Sequence, residues 1–176
     1  MQINELTPLT FSADYEKMCR SFPYEERRDI NDEAMCFNKK EFRFCRLIEN
    51  GEPCGVAVFW EFEGFIFLEH LAIDVDKRSL GLGSDFIELL KNSYNKGIML
   101  EAELPETEQA KRRIAFYERH GFFVNEYFYE QPSYHGENAG VRLNILSFPN
   151  TLSQGEFDGF LKTTRREVYG ITDYTG

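Results

Sequence analysis

Residues 68–84 read LEHLAIDVDKRSLGLGS and join a predicted strand to a predicted helix. Ahead of the junction, the apolar run from Phe65 to Ile73 is typical of a buried central strand. Beyond it, apolar residues recur at spacings of three and four, as on one face of a helix. These residues are Phe86, Leu89, Leu90 and Tyr94. Gly81 and Gly83 lie where the strand turns into the helix.

The two glycines predict a turn that can bind an anion. Glycine lets the backbone approach a ligand closely, and the first N–H groups of a helix have no partner within the helix. The helix dipole favours an anion there by about 0.3–2 kcal/mol. Because Lys77 and Arg78 stand beside this turn, it is a candidate pyrophosphate site. The alternative is a purely structural turn, which is what an isolated Gly-x-Gly more often forms.

Two common nucleotide-binding patterns do not fit this stretch. The Rossmann pattern G-x-G-x-x-G requires a third glycine at the position of Phe86. The Walker A pattern requires a Gly-Lys-Ser/Thr sequence, which does not follow Gly83.

Elements of both kinds are predicted on either side of the junction. Predicted strands cover residues 2–6, 42–48, 53–60, 65–73, 98–104, 122–129 and 141–148, with a hairpin turn at Asn50-Gly51. Predicted helices cover residues 12–21 with Ser12 as N-cap, 25–39, the stretch after residue 84 up to Gly97, 106–120 and 153–168. This order predicts an α/β (α+β) fold with a mixed sheet and a helical crossover after the fourth strand.

Length and charge limit the classes of partner. The chain has 176 residues and a net charge of −10, which predicts one domain rather than two. Nucleic acids and anionic membrane surfaces are bound by clustered Lys and Arg, so neither partner is expected. No apolar run approaches the roughly 20 residues that span a bilayer. The first five residues lack the basic and apolar regions of a signal peptide.

The cysteines and histidines do not form a metal-binding pattern. The four cysteines include no C-x-x-C pair, and the three histidines are far apart in sequence. We therefore expect no metal site and no disulfides. Reduced, mostly buried thiols predict a cytoplasmic protein, and none of the four cysteines has the surroundings of a nucleophile.

Two motifs together resemble the GNAT superfamily of N-acyltransferases. The first is Arg78-x-x-Gly81-x-Gly83, which in that family binds the pyrophosphate of coenzyme A. The second is Tyr117-Glu118-x-x-Gly121-Phe122, which closes a later helix of the family. Both occur in the family's order, and the predicted elements fit from Gln2 to Phe148. The resemblance implies a mostly antiparallel GNAT-type sheet of about six or seven strands in a domain of residues 1–150. Residues 151–176 lie outside the resemblance, and the amphipathic pattern over residues 153–168 predicts a helical extension that packs on that domain or pairs with a second subunit in a homodimer.

The resemblance implies that acetyl-CoA lies between the fourth and fifth strands. Its pantetheine arm would pair with the backbone near Ile73 and Val75. Its pyrophosphate would bind at Arg78, Ser79, Leu80, Gly81, Leu82, Gly83 and Ser84. Tyr117 matches the family tyrosine that protonates the departing thiolate. An asparagine common in the family is Ala110 here, so Arg112 or Arg113 is expected to contact the cofactor instead.

Transfer to an amine also requires a base, because only about one lysine-like amine in 2,500 is neutral at pH 7. Glu69, in the middle of the fourth strand, is the first candidate, and Glu103 on the fifth strand is the second. The alternative for Glu69 is an ion-paired or surface residue of the strand. By alternation His70 faces the other side of the sheet, which favours a structural role.

The function that this combination predicts is acetyl transfer from acetyl-CoA to a primary amine of a small molecule or peptide. The acceptor would be recognised by two segments, whose candidate residues are Phe22, Tyr24 and Glu25 in one and Tyr134 and His135 in the other. A non-catalytic acyl-CoA-binding or sensor domain is the first alternative. An interaction domain that has kept the fold and lost the ligand is the second.

Overall fold

A computed structural model describes residues 1–136 and 140–171 of the chain. Within those residues the chain forms eight strands and five α-helices. The strands are β1 Gln2–Glu5, β2 Phe42–Glu49, β3 Glu52–Glu61, β4 Phe65–Ile73, β5 Gly97–Glu103, β6 Phe123–Asn125, β7 Glu130–Gln131 and β8 Val141–Phe148. The helices are α1 Ser12–Cys19, α2 Ile30–Cys36, α3 Leu82–Ser93, α4 Glu108–Arg119 and α5 Gln154–Glu167. The predicted mixed α/β class is confirmed.

Two compact units make up the chain, Met1–Leu100 and Glu101–Gly176. In the first unit the strands lie in the order β1-β2-β3-β4-β5, and only the β4–β5 pair is parallel. The predicted turn between β2 and β3 is present, with positive φ angles of 52° at Asn50 and 84° at Gly51. The division into a domain of residues 1–150 and an extension from residue 151 stays a prediction. Residues 172–176 of that extension lie outside the described residues.

Strand β4 carries a bulge at Glu69. Leu68 pairs with Phe59 and His70 pairs with Val58, so that Glu69 has no partner on β3. Because Val58 and Trp60 share a face of β3, His70 lies on the face of Trp60. The Trp60 indole Nε1 donates a hydrogen bond to Glu69, which therefore lies on that face as well. The prediction that His70 faces away from Glu69 is wrong, because an extra residue breaks the alternation.

Helix α1 is joined to the sheet of the first unit by two ion pairs. The Asp14 carboxylate, buried in α1, accepts hydrogen bonds from Arg46 Nη2 at 2.6 Å and from Nε at 3.1 Å. The Lys17 ammonium lies 3.0 Å from the Asp74 carboxylate, just beyond the end of β4. These contacts fix the C-terminal end of α1 beside the residues that follow β4.

The helix predicted over residues 25–39 is interrupted. A short 3₁₀ turn covers Tyr24–Glu26, Arg27 is extended, and α2 begins only at Ile30. The hydroxyl of Tyr15 donates to the backbone carbonyl of Arg28 at 2.8 Å. That tertiary contact takes the place of the helical hydrogen bond that the sequence pattern assumes.

The second unit contains two antiparallel strand pairs, β6 with β8 and β7 with β8. The strand predicted over residues 122–129 ends at Asn125, which gives one strand more than the six or seven expected. The Asn125 side-chain amide donates to the Ile145 carbonyl at 3.0 Å and to Ser147 Oγ at 2.9 Å. Because a side chain bonds to the carbonyl of its ladder partner, backbone pairing stops there.

Helix α5 begins with a capping box. The backbone N–H of Glu156 donates to Ser153 Oγ at 3.4 Å, and the Glu156 carboxylate accepts from the Ser153 N–H at 2.8 Å. Ser12, the predicted N-cap of α1, is instead the first residue of that helix. Phe11 occupies the cap position and makes no side-chain cap hydrogen bond.

Replacing Ser153 by alanine is expected to lower the free energy of unfolding by about 1 kcal/mol, because the cap hydrogen bonds are lost. The matched variant Ser12→Ala removes a helix-start serine that caps nothing, and its effect is expected to stay within about 0.5 kcal/mol. Urea unfolding of both variants measures the difference. Equal losses in the two variants would contradict the cap assignment.

Candidate active site

The turn between β4 and α3 presents backbone N–H groups without partners. Gly81, the N-cap of α3, has a φ of 83°. Because glycine has no side chain, it makes no side-chain cap hydrogen bond to the first N–H groups of the helix. In the part of the chain that the structure describes, the N–H groups of Gly81, Leu82 and Gly83 donate no hydrogen bond. Three successive donors at the start of a 12-residue helix form a concentrated positive dipole end, which suits an anion.

The backbone of β4 is half-paired over its last five residues. Its parallel register with β5 runs only from Phe65–Gly97 to Leu68–Leu100, whereas β4 continues to Ile73. On its other edge β4 stays paired with β3 as far as Ile73. The backbone edge of residues 69–73 is thus not covered by β5 within the described residues.

A cleft of about 270 Å³ lies against the end of β4. Its floor is formed by residues 72–76 and Val56, and its wall by Lys17, Arg20 and Ser21 at the end of α1. Lys17 is paired with Asp74, whereas the Arg20 side chain forms no hydrogen bond or ion pair with the described residues. Besides its apolar residues and the carboxylates of Asp74 and Asp76, the cleft therefore contains one guanidinium that forms no ion pair with the described residues.

The two basic residues before the turn are used differently. Lys77 Nζ donates to the Pro53 carbonyl at 2.6 Å and anchors the turn to β3. Arg78 is exposed, and its Nε donates to the Ile73 carbonyl at 3.3 Å. Of the two, Arg78 is the one whose guanidinium stands at the surface beside the three free N–H groups.

A buried charged cluster lies on the Trp60 face of β4. Arg28 Nη1 lies 2.8 Å from Glu69 Oε1 and 3.2 Å from Glu33 Oε2. The second Glu69 oxygen accepts from Trp60 Nε1 at 2.8 Å. At most 6% of any of the three charged side chains is exposed. Glu69 is therefore ion-paired, which is one of the two alternatives to a catalytic base that the sequence left open for this residue.

Burial changes the protonation of this cluster. Desolvation raises the pKa of Glu33 from 4.5 to about 7. The negative charge of Glu69 also raises this pKa, whereas the positive charge of Arg28 lowers it. Desolvation also lowers the pKa of His70, whose Nε2 lies 3.0 Å from the Glu26 carbonyl. Glu33 Oε1 and His70 Nδ1 are buried and have no hydrogen-bond partner.

In the second unit, Tyr117 of α4 is a buried phenol. Desolvation raises its pKa to about 12, and the nearby Arg113 guanidinium acts in the opposite direction. The Tyr117 hydroxyl makes no hydrogen bond with the described residues. Glu103 lies 3.1 Å from Arg113, so that this arginine is close to both of the predicted catalytic residues of the unit.

Known proteins are similar to this chain in sequence and in fold. A family model described as "Acetyltransferase (GNAT) domain" matches residues 40–124. "Putative acetyltransferase YjbC" of Bacillus subtilis strain 168 is 28% identical over 170 residues, which are 90% of this chain and 82% of that protein. A solved structure from Bacteroides thetaiotaomicron, "Putative acetyltransferase from GNAT family", is also 28% identical, with a TM-score of 0.89 over 98% of this chain and 100% of that one.

The chain belongs to the GNAT acetyltransferase superfamily. The fold extends to a distant structure, an aminoglycoside 6′-N-acetyltransferase complexed with coenzyme A. That structure is 16% identical, with a TM-score of 0.58, and the match covers 84% of this chain and 96% of that one. The resemblance inferred from the two sequence motifs is thus confirmed.

The roles predicted for individual residues of this GNAT chain stay predictions, but their positions are now known. Ile73 and Val75 line the cleft at the end of β4. Ser79 and Leu80 are exposed in the turn, Ser79 with a positive φ of 66°, and Ser84 is the third residue of α3. In α4, Ala110 is buried and Arg112 is exposed.

The residues predicted to bind the acceptor lie in different surroundings. The ring of Phe22 packs edge-on against His70, with centroids 4.5 Å apart. Tyr24 and Glu25 are exposed. In the second unit, the ring of Tyr134 lies 5.1 Å from that of Tyr169.

Two polar groups of this GNAT chain were not found from the sequence. One is the pair Arg28 and Glu33, which only the packing of α2 brings to Glu69. The other is Glu101 of β5, whose carboxylate accepts hydrogen bonds from the Tyr129 hydroxyl, Gln131 Nε2 and the Tyr169 hydroxyl. Strand alternation could have indicated Glu101, because it places this residue on the same face of β5 as Glu103.

The raised pKa of Glu33 predicts a pH-dependent difference in stability between the natural protein and Glu33→Gln. A carboxyl whose pKa is higher in the folded state stabilises the fold while it is protonated, and this contribution is lost as the pH rises. The free energy of unfolding of the natural protein should therefore fall, relative to Glu33→Gln, between about pH 4.5 and pH 7. Urea unfolding at a series of pH values measures this difference.

The lowered pKa of His70 has the opposite effect on stability, but it is common to both proteins and cancels in the comparison. Parallel stability curves across this pH range would show that Glu33 is ionised like an exposed carboxyl.

Proposed function

We propose that this protein transfers an acetyl group from acetyl-CoA directly to a primary amine of a small molecule or peptide. The observation that carries this proposal is the set of three unpartnered N–H groups at the start of α3. They follow directly on the exposed Arg78 and the uncovered edge of β4. Membership of the acetyltransferase superfamily supports the same reaction class.

The donor site requires charge complementarity, because the pyrophosphate of coenzyme A is a dianion. The N–H groups of residues 81–83 and the Arg78 guanidinium would hold it. The edge of β4 at residues 69–73 would pair with the amides of the pantetheine arm as a strand partner would. The distant neighbour solved with coenzyme A has the same fold, which supports this placement of the donor.

The reaction forms one C–N bond and breaks one C–S bond. The amine nitrogen attacks the thioester carbonyl, and the tetrahedral intermediate then expels the thiolate of coenzyme A. Tyr117 would give its phenolic proton to that thiolate, because a pKa of about 12 keeps the phenol protonated at neutral pH. The proton lost by the amine goes to a base, and exchange with solvent restores both groups.

Glu69 is the preferred base and Glu103 the second candidate. Glu69 lies on the bulge directly after Leu68, the last residue of β4 that pairs with β5. Its carboxylate is held by Arg28 and Trp60, so that little reorganisation accompanies proton transfer. Glu103 is more exposed and is paired with Arg113.

The acceptor class and the compartment follow from weaker observations. A net charge of −10 favours a cationic acceptor such as a polyamine, an aminoglycoside-like amine or a basic peptide N-terminus. All four cysteines are free thiols, which supports a reducing compartment such as the cytoplasm. Within the described residues, no helix has the length and apolar character needed to cross a bilayer.

An assay of thiol release tests the proposal. The protein is incubated with acetyl-CoA and a panel of polyamines, aminoglycosides and short peptides, and the acetylated product is identified by mass. Amine-dependent release of free thiol supports the transferase. Saturable binding of acetyl-CoA with no release for any amine would favour an acyl-CoA-binding or sensor domain instead.

Gly83→Val is expected to weaken coenzyme A binding at least about tenfold, which is about 1.4 kcal/mol, because its side chain projects toward the phosphates. Gly155 occupies the same position, the second residue, in α5. Gly155→Val is therefore the matched control and should leave the dissociation constant unchanged. Calorimetric titration of both folded variants measures it. Equal affinity of the two variants for coenzyme A would refute the phosphate site.

Tyr117→Phe is expected to lower kcat by about 10²-fold while the affinity for acetyl-CoA changes little, because a general acid acts late in the reaction. Tyr94→Phe is the control, since Tyr94 lies at the end of α3 and has no proposed role. Steady-state kinetics and direct titration with acetyl-CoA separate the two effects. An unchanged kcat, with chemistry rate-limiting, would exclude the acid role.

A further inference from the structure

The buried cluster on β4 contains two carboxylates and one guanidinium. Glu33 Oε2 and Glu69 Oε1 lie 3.2 and 2.8 Å from the same nitrogen, Nη1 of Arg28. None of the Glu33 side chain and 1% of the Glu69 side chain is exposed. With both acids ionised, this cluster would hold a net negative charge away from water, which is costly.

The cluster is also incompletely hydrogen-bonded. Glu33 Oε1 and His70 Nδ1 are buried and have no partner. A salt bridge that served stability alone would be balanced in charge and satisfied in hydrogen bonds. Buried titratable groups in such surroundings are concentrated at functional sites.

Glu69 connects this cluster to the proposed acyl-transfer site. Glu69 occupies the bulge of β4, where β4 continues beyond its last partner on β5. The following residues of β4 lead to the cleft lined by Ile73 and Val75. A change in the charge of Glu33 therefore acts on the residue that we propose as the base.

We propose that Glu33 is a positioning residue for acyl transfer. When Glu33 is ionised, it competes with Glu69 for Arg28 and thereby makes Glu69 a stronger acceptor of the proton that the acceptor amine loses. This inference rests on the proposed function and on Glu69 as the base. The step balances, since the N–H proton moves to Glu69 as the C–N bond forms, and Tyr117 protonates the departing thiolate.

Several charged and titratable groups face the two acids. Arg28 attracts both, while each acid repels the negative charge of the other. The further groups, from α1, the 3₁₀ turn region, α2 and β4, are Tyr15, Arg27, Cys36, Lys39 and His70. Burial raises the pKa of Tyr15, raises that of Cys36 to about 12 and lowers that of His70, so these three groups stay uncharged near neutral pH.

Glu33 and Arg28 are expected to have opposite effects on the proton affinity of Glu69. In Glu33→Gln, Arg28 faces one carboxylate instead of two, so above about pH 7, where Glu33 of the natural protein is ionised, Glu69 of the variant is the weaker base. In Arg28→Gln, the attraction is lost and Glu69 binds a proton more strongly. A nearby charge shifts a carboxyl pKa by about 1–3 units.

The test is the pH profile of kcat, measured with saturating acetyl-CoA and an acceptor amine that is neutral across the range scanned. In the natural protein kcat is expected to rise further through about pH 7, as Glu33 ionises, and Glu33→Gln should lack this step. The acid limb is expected to lie about one pH unit higher in Arg28→Gln. Arg28→Lys, which keeps the charge, should restore the natural position. Glu61→Gln, which removes a carboxylate from the pair with Arg43, is the control and should leave the limb unmoved.

A step near pH 7 that persists in Glu33→Gln, or an acid limb that stays in place in Arg28→Gln, would overturn the inference. If Arg28→Gln does not fold, carbon-13 NMR titration of the glutamate carboxyls in the natural protein and in Glu33→Gln gives the second readout. Absence of a carboxyl that titrates near pH 7 in the natural protein and is lost in Glu33→Gln would likewise overturn it. Absence of transfer by the natural protein to any amine would overturn the proposed function itself, whereas transfer with an identical pH profile in all variants would overturn only the role of Glu33.

Discussion

The parallel pairing of β4 with β5 stops after four residues, and the proposed chemistry depends on that stop. From His70 to Ile73, β4 stays paired with β3, and from Glu69 to Ile73 it has no partner from β5 among the described residues. Backbone N–H and C=O groups require partners. An uncovered edge that leads into a helix with three unpartnered N–H groups therefore has the form of a site for an extended anionic ligand.

The charges of the first unit are arranged around this edge. Asp74 and Lys17 hold the end of α1 beside it, while Arg20 is left without a partner in the described part of the chain. Lys77 fixes the turn to β3, so that Arg78 is the exposed cation next to the N–H groups. On the other side of the bulge, the cluster of Arg28, Glu33 and Glu69 is sealed from water. The same short stretch of β4 thus links a cleft lined by charges of both signs to a buried cluster of two carboxylates and one guanidinium.

Much of this arrangement could be predicted from the sequence, because local signals were strong. The bounds of β4 were predicted without error, since Gly64 and Asp74 delimit its apolar run. The turn at Asn50-Gly51 and the glycines of the β4–α3 junction were likewise marked by backbone chemistry. The superfamily, which the comparisons confirm, could be inferred from two motifs, each of which spans only six residues of the chain.

The features that were missed depend on contacts between distant residues. The helix predicted over residues 25–39 is broken by the contact of Tyr15 with the Arg28 carbonyl, 13 positions away. The alternation rule misplaced His70 because a bulge leaves no mark in the composition of a strand. Arg28 and Glu69 are separated by 41 positions, so that no spacing rule joins them. A single sequence predicts which elements form, but not which polar side chains their packing buries together.

Titration of nitrogen-15-labelled protein with coenzyme A, followed by amide chemical shifts, tests the central claim most directly. The donor site proposed here predicts that the amides of residues 81–83 show the largest shifts. Pantetheine, which lacks the pyrophosphate, should not reproduce them. Shifts confined to other parts of the chain, or no saturable shifts at all, would contradict it.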